Sequence, residues 1–535
     1  MELQFIGADH EVTGSCHYLH VGSHHILVDY GMEQGRDMFE NAPLPVKAEN
    51  IDYVFLTHAH IDHTGMLPKL YADGFRGRIL CTKATKELTD IMVRDSAHLQ
   101  AQEAEYQNKK SGKRGAADAV KPAYTMQDAM NLVRLLEDFP YGERIVLDEN
   151  VTFRFTDVGH LLGSASIELW LTERGEERLV VFSGDIGNVN QPLLRDPQLT
   201  KEADYVVMES TYGTRLHEKV KTDHMQQLAD VIRSTLTRGG NVVIPAFAVG
   251  RTQVMLYYIR QMKELGLVPE NPNFPVYVDS PMAVQAISVF EHNEAACYDE
   301  EAAALLKKGV NPLYFKNLHL SITTEESMAI NDDPEPKVII SASGMCDAGR
   351  IRHHVKHNIE NPRSTILFVG YQSEGTFGRR LLDGAEKVKL FGKEYTVQAQ
   401  ISRMDGLSGH GDQAELLHWI NSFERKPRQV FVVHGDDAAT IAFSELLTSE
   451  YGYKAMAPYS GTSYDLIKGE FIRIAKPKPA AGSSTTAVRS ASDSYTKLQI
   501  AARRLETLIS KKKGVTNKEL EQLTREVNDL CRRYE

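Results

Sequence analysis

Short apolar runs alternate with segments of helical periodicity through most of the chain. Strand-like runs occupy 26–29, 53–56, 152–158, 166–171, 179–182 and 205–208, and helical spacing runs through 84–107 and 126–138. This alternation predicts a layered α/β domain. From about residue 211 to 388 a second set begins, with strands expected at 241–244, 276–278, 338–340 and 366–369. The stretches 276–279 and 337–340 are nearly continuous apolar runs, as a parallel sheet covered on both faces requires. A third block, 398–474, returns to strands and loops rich in His and Asp. Residues 476–494 are rich in Pro, Ser and Ala and cannot build a core. Beyond them, Leu498, Ala501, Leu505, Leu508 and Ile509, then Leu520, Leu523, Val527 and Leu530, mark two amphipathic helices, the second capped by Thr516 and Glu519. The expected organisation is 1–210, an inserted block 211–395, a returning block 396–475, a linker 476–494 and a helical hairpin 495–535.

Composition narrows the class. With 535 residues the chain has room for two or three cores, and 42% hydrophobic and 25% charged residues describe an ordinary globular protein. No run of 18 apolar residues occurs, so no membrane span is expected. Residues 1–6 read as a first strand rather than a signal peptide, and the odd number of widely spaced cysteines fits a reducing, cytoplasmic location. The five cysteines form no C-x-x-C pair. Any metal is therefore expected on His and Asp rather than thiolate. A net charge of −11 argues against a wholly basic nucleic-acid surface but leaves room for a local positive groove.

The sharpest chemical signal is His58-Ala59-His60-Ile61-Asp62-His63, directly after the expected strand ending near Thr57. Imidazole and carboxylate are the ligands preferred by zinc and its first-row neighbours. Four such groups in six residues exceed what one tetrahedral ion needs locally, which suggests two metals. His160, in D-V-G-H-L-L-G, and Asp185, in F-S-G-D-I-G, follow other strands and are candidates to complete the shell. Asp29 ends a strand and suits a carboxylate that orients a ligating imidazole.

The H-x-H-x-D-H stretch with its downstream His and Asp resembles the metallo-β-lactamase superfamily. More narrowly, the chain resembles the β-CASP branch of nucleic-acid-processing nucleases. Glu209 in M-E-S-T-Y-G, His410 in L-S-G-H-G-D and His434 in V-F-V-V-H-G-D match that branch's three further motifs. P-A-F-A-V-G-R-T-Q and G-Y-Q-S-E-G-T-F-G-R-R-L-L-D-G fit it too. The likeness covers roughly residues 1–475. It implies an αββα sandwich interrupted by an inserted α/β domain. It also implies two divalent ions, zinc with manganese as the alternative, one on His58, His60 and His160, the other on Asp62, His63 and His434, with Asp185 bridging. Such a pair activates hydroxide against a phosphodiester, with His410 the expected general acid and Glu209 its support. Within the resemblance, His at the last motif accompanies single-stranded RNA substrates, in RNA processing or decay. A DNA nuclease is the alternative, and a small-molecule hydrolase a more distant one. The similarity is greatest to prokaryotic relatives of the endonuclease subunit of the pre-mRNA 3′-end cleavage factor. Without N-terminal KH domains or a folded C-terminal domain, a stand-alone bacterial version is expected.

Substrate is expected in a groove between the two domains. Ser341, Ser343 and Gly344 sit at a strand-to-helix turn where backbone N–H groups can approach phosphate, and Arg251, Arg350 and Arg379 are candidate cations. His353 and His357 are expected as surface or groove residues rather than a metal pair. His24 and His25 are expected to face solvent. The basic run 109–114 reads as a solvated loop. A homodimer through the inserted domain or the C-terminal helices is a further expectation.

Overall fold

The computed structural model describes residues 1–35, 38–110, 119–216, 223–373, 375–480, 509 and 517–534. Residues 1–477 form one compact unit and 478–535 another.

Two sheets face one another in the first unit. One runs in the order Glu470–Arg473, Ser463–Asp465, Glu2–Gly7, Cys16–Val21, His24–Val28, Tyr53–Phe55, Arg78–Thr82, Leu136–Phe139. The other runs Ala455–Met456, Gln429–Val433, Tyr205–Glu209, Glu176–Phe182, Ala165–Glu173, Val151–Asp157, Ile145–Val146. Their inner faces share one core that includes Phe5, Phe55, Phe153, Phe155, Ile167 and Phe431. Burying such a side chain contributes about 1.5–3 kcal/mol. Helices cover the outer faces: Leu67, Leu70 and Leu132 pack on the first sheet, and Leu416, Trp419, Phe443 and Leu447 on the second. The result is the αββα sandwich.

The insertion enters after Tyr205–Glu209 and the chain returns as Gln429–Val433, parallel to it, with Glu209 opposite Val433. Between them lies a third, parallel sheet in the order Leu318–Ser321, Val276–Asp279, Val338–Ser341, Val242–Pro245, Thr365–Phe368, Gln400–Arg403. Period-two alternation between two covered faces explains why its four inner strands are largely apolar. Val242, Ile244, Val338 and Ile340 join the core on one face, while Val243, Ile339 and Ile366 join that on the other.

Three local expectations differ from the structure. Helical spacing over 126–138 gives a helix only at Met126–Val133, started by a Thr125/Asp128 capping box; Leu136–Phe139 instead pairs in parallel with Arg78–Thr82. A free sheet edge outweighs local helix preference there. Residues 400–403, assigned to the returning block, form the edge strand of the inserted sheet. Their Q-I-S-R sequence lacks the apolar run that marks the inner strands. His24 and His25 lie inside a strand and are half-buried. His24 Nε2 is 3.3 Å from Asp148, and His25 Nδ1 lies 2.6 Å from the Tyr18 hydroxyl.

His353 and His357 are exposed on the helix Ile351–Asn358, as expected. In the second unit, Asn517–Tyr534 is a helix. The first predicted tail helix, apart from Ile509, lies outside the described residues, as do Thr516, residues 111–114 of the basic run and most of the 476–494 linker. Among the described residues no helix is long and apolar enough to cross a membrane.

Candidate metal centre

Every candidate ligand stands just beyond a strand. His58, His60, Asp62 and His63 follow Tyr53–Phe55, and the last two lie on the short helix Ile61–Thr64. His160 follows Val151–Asp157, Asp185 follows Glu176–Phe182 and His434 follows Gln429–Val433. Two glycines allow the turns to close. A Cβ on Gly31 would stand 1.6 Å from the Asp62 carbonyl oxygen, and Gly184, at φ +57, would meet Thr57 at 2.7 Å.

The seven side chains converge in two sets that meet at Asp185. His58 Nε2 and His160 Nε2 lie 3.0 and 3.3 Å from His60 Nδ1, and each is 3.5 Å from Asp185 Oδ2. On the other side, His63 Nε2 and His434 Nε2 are 3.1 Å apart and lie 3.4 and 3.6 Å from Asp185 Oδ1. Asp62 Oδ2 is 3.7 Å from His434 Nε2. One Asp185 oxygen therefore faces each set, as a bridging carboxylate must.

These residues fit divalent cations. Oδ1 of Asp185 is buried and makes no well-aligned hydrogen bond. Ring nitrogens about 3.3 Å apart match the edge of a tetrahedron with Zn–N bonds of about 2.0–2.1 Å.

Neighbouring groups fix which nitrogen points inward. His63 Nδ1 is 2.7 Å from Asp29 Oδ2, and Asp29 is itself held by the Thr57 N–H and hydroxyl, both donating at 2.8 Å. His160 Nδ1 donates to the Gly409 carbonyl at 3.1 Å, and His434 Nδ1 lies 3.2 Å from the Thr211 hydroxyl. Each contact leaves Nε2 for the site. Asp29 thus stands within hydrogen-bond reach of the His63 ring.

Charge in the cluster is polarised. Burial pushes His58 and His160 well below the usual imidazole range, so both rings are neutral. Burial would also lower His63, but the Asp185 and Asp29 carboxylates outweigh it and hold that ring well above the ordinary value. Burial would raise Asp62; the His434 hydrogen bond and the His63 and His60 rings overcome it and hold the carboxyl at about 2.

Beside this cluster, both Glu209 oxygens lie 3.3 Å from His410 Nδ1. The Ile186 N–H donates to Glu209 Oε1 at 2.5 Å, fixing the carboxylate. Burial acts to lower His410, yet Glu209 more than offsets it and the ring is raised to about 9. His410 packs 4.5 Å from the His160 ring and 4.0 Å from Asp185 Oδ2, at the edge of the metal cluster.

The candidate substrate residues fare unevenly. Arg251 begins the helix Arg251–Glu264, and a Cβ on neighbouring Gly250 would lie 3.2 Å from Leu161, next to His160. Its guanidinium forms no ion pair among the described residues, and burial pulls it down to about 10. Ser341 is buried, its hydroxyl donating to the Asp279 carbonyl at 2.7 Å, so its side chain is spent inside the sheet. Ser343 is half-buried against Ala348, and Gly344 packs on Phe247. Arg350 donates to Asp279 Oδ1 at 2.7 Å and to the Ile322 carbonyl at 2.6 Å, and Arg379 pairs with Asp383 at 2.8 Å. Arg350 is thus committed within the insertion.

Sequence reasoning missed the network that holds it. Buried Asp279 also binds His354 Nε2 at 2.7 Å and the Ser327 hydroxyl at 2.5 Å. The nearest signal was His354 itself, the inward member of I-R-H-H-V-K-H, overlooked between the exposed His353 and His357.

The fold and site define a class, the β-CASP metallo-β-lactamases, and the chain belongs to that family. Residues 11–211 match the metallo-beta-lactamase superfamily, 252–381 the Beta-Casp domain and 394–458 the Zn-dependent metallo-hydrolase RNA specificity domain. Among individual relatives, the chain is 35% identical to "Ribonuclease TTHA0252" of Thermus thermophilus, over 84% of this chain and 96% of that protein. It is 30% identical to "Transcription termination factor FttA" of Methanosarcina mazei, over 83% and 68%. It is 29% identical to an "RNase J-like protein" of Methanocaldococcus jannaschii, over 86% and 98%.

Proposed function

We propose that the protein is a metal-dependent ribonuclease that hydrolyses phosphodiester bonds of single-stranded RNA, in RNA processing or decay. The observation that carries this reading is Asp185, with one oxygen turned to each of two His-rich ligand sets and His410 at the edge. His58, His60, His160 and Asp185 would hold one divalent ion, and Asp62, His63, His434 and Asp185 a second, zinc or manganese. Bound there, the ions supply Lewis acidity and a water acidified toward neutral pH.

The chain's own groups do the rest. Glu209 keeps His410 protonated at neutral pH, with Nδ1 engaged, so Nε2 is the nitrogen that delivers a proton to the departing ribose oxygen. Asp29, Thr211 and the Gly409 carbonyl hold the ligating rings in one tautomer. Arg251 supplies positive charge for the substrate backbone beside the His160 loop. Leu520, Leu523, Val527 and Leu530, spaced by three and four residues on the helix Asn517–Tyr534, are suited to pairing with a second copy of the chain.

The test is cleavage of a labelled single-stranded RNA beside its DNA equivalent. The ribonuclease reading expects RNA to be cut at least tenfold faster, with loss on chelation. Equal cutting of both polymers would move the assignment to a general or DNA nuclease, and cutting of neither would end it.

A further inference from the structure

Large aromatic residues in this protein are mostly buried; Trp419, Tyr205, Tyr257, Phe5, Phe55 and Phe153 are among those sealed in the cores. Two that are not stand just past the ends of adjacent inserted-sheet strands. Tyr371, 52% exposed, follows Thr365–Phe368, and Phe247, 46% exposed, follows Val242–Pro245. They are tied together through Gly344. Phe247 lies against it, and its carbonyl accepts from Gln372 Nε2 at 2.9 Å, one residue from Tyr371.

A cation links this edge to the metal centre. The Arg215 guanidinium carbon lies 5.9 Å from the Tyr371 ring and 5.6 Å from the Tyr212 ring. Tyr212 in turn stands edge-on to His410, their ring centroids 6.0 Å apart at 81°. Arg215 is exposed and forms no ion pair among the described residues. Tyr212, Arg215 and Tyr371 therefore make a continuous aromatic–cation–aromatic row that starts at the proposed proton donor and ends in solvent.

We propose that this row is a stacking platform for unpaired RNA bases on the leaving-group side of the scissile phosphodiester. The proposal rests on the ribonuclease reading above. The side follows from His410, since the group that protonates the departing oxygen marks where the departing strand lies. Every base has a π-face and stacks on Tyr or on a guanidinium plane, so the platform is tolerant of sequence. Bases in a duplex are already stacked and paired, so only a single strand can offer them. The row thus ties strandedness to catalysis at the point where the proton is delivered.

The experiment measures kcat and KM of the metal-loaded protein on a short unpaired RNA. The same RNA is also used with one abasic site moved stepwise across the cleavage position. Tyr371→Ala is expected to lower kcat/KM by about 10- to 100-fold, chiefly through KM. Tyr371→Phe, which keeps the ring, should stay within about threefold of wild type. One abasic position on the leaving-group side should cost the wild type a comparable factor and erase its advantage over Tyr371→Ala. Arg215→Gln, a change at an exposed side chain, should lower kcat/KM in the same direction. The proposal is overturned if Tyr371→Ala matches wild type, if Tyr371→Phe is as impaired as Tyr371→Ala, or if the Tyr371→Ala defect is the same on every abasic RNA. Failure of the ribonuclease reading looks different, because the wild type would then cut no RNA or would cut the DNA equivalent equally well.

Discussion

The sandwich and the insertion both gather polar side chains around strand ends, and they use them in opposite ways. In the sandwich, seven short side chains converge with their donor atoms turned toward one another, and Asp185 Oδ1 is left without a good hydrogen bond. In the insertion, Asp279 takes hydrogen bonds from Arg350, His354 and Ser327, and nothing polar in that network is left over. Buried polar groups that satisfy one another hold a structure together; buried ligands that do not are held ready for an ion. The difference separates a cluster held ready for ions from a network that is spent on holding the inserted sheet and its helices together.

The contrast breaks most sharply at Asp185. Asp185→Asn should cut RNA cleavage by at least about 10³-fold and lower the bound metal measured by elemental analysis, because one carboxylate serves both ligand sets. Full activity with full metal would refute the bridging role.

Next in size is His410→Ala. A general acid contributes about 10²- to 10⁴-fold, so kcat should fall by that factor while metal content holds. The defect should shrink on a substrate with a nitrophenolate leaving group.

Glu209→Gln sharpens the same point through pH. His410 is raised to about 9 chiefly by Glu209 against its burial, so its proton is present at neutral pH and lost as pH rises through that value. The alkaline limb of kcat should therefore lie at or below about 9 in the wild type, since bound cations pull it down. It should move to lower pH in Glu209→Gln; an unmoved limb would remove Glu209 from this role.

The insertion should answer differently. Asp279→Ala leaves Arg350 and His354 without their shared buried acceptor, which costs about 3–5 kcal/mol in stability. Thermal denaturation should show it, while metal content stays at the wild-type level. Smallest of all, deleting residues 476–535 should leave metal content and activity per site intact and yield monomers. Dimers surviving that deletion would free the tail of any role in assembly.

How much of this was legible in the sequence depended on distance along the chain. Four candidate ligands lie within six residues, and His160 and Asp185 each follow a recognisable apolar strand, whereas His434 entered through the resemblance to the β-CASP motifs alone. The place of Arg350 could not be read in either way. Its partner Asp279 is 71 residues away, and nothing local distinguishes an arginine that meets phosphate from one that meets a buried carboxylate. The same limit hid the strand at Leu136–Phe139, whose pairing with Arg78–Thr82 is not written in its own spacing. Tyr212 and Tyr371 sit inside two of the quoted motifs, yet only the fold brings both to one arginine.

Two divalent ions, both held in part by Asp185, would act together in RNA cleavage. The most direct measurement titrates zinc or manganese into the metal-stripped protein while initial cleavage of a single-stranded RNA is followed. Activity that rises to a plateau at two equivalents per chain is the predicted result. A plateau at one equivalent, or RNA left intact at every metal concentration, would contradict it.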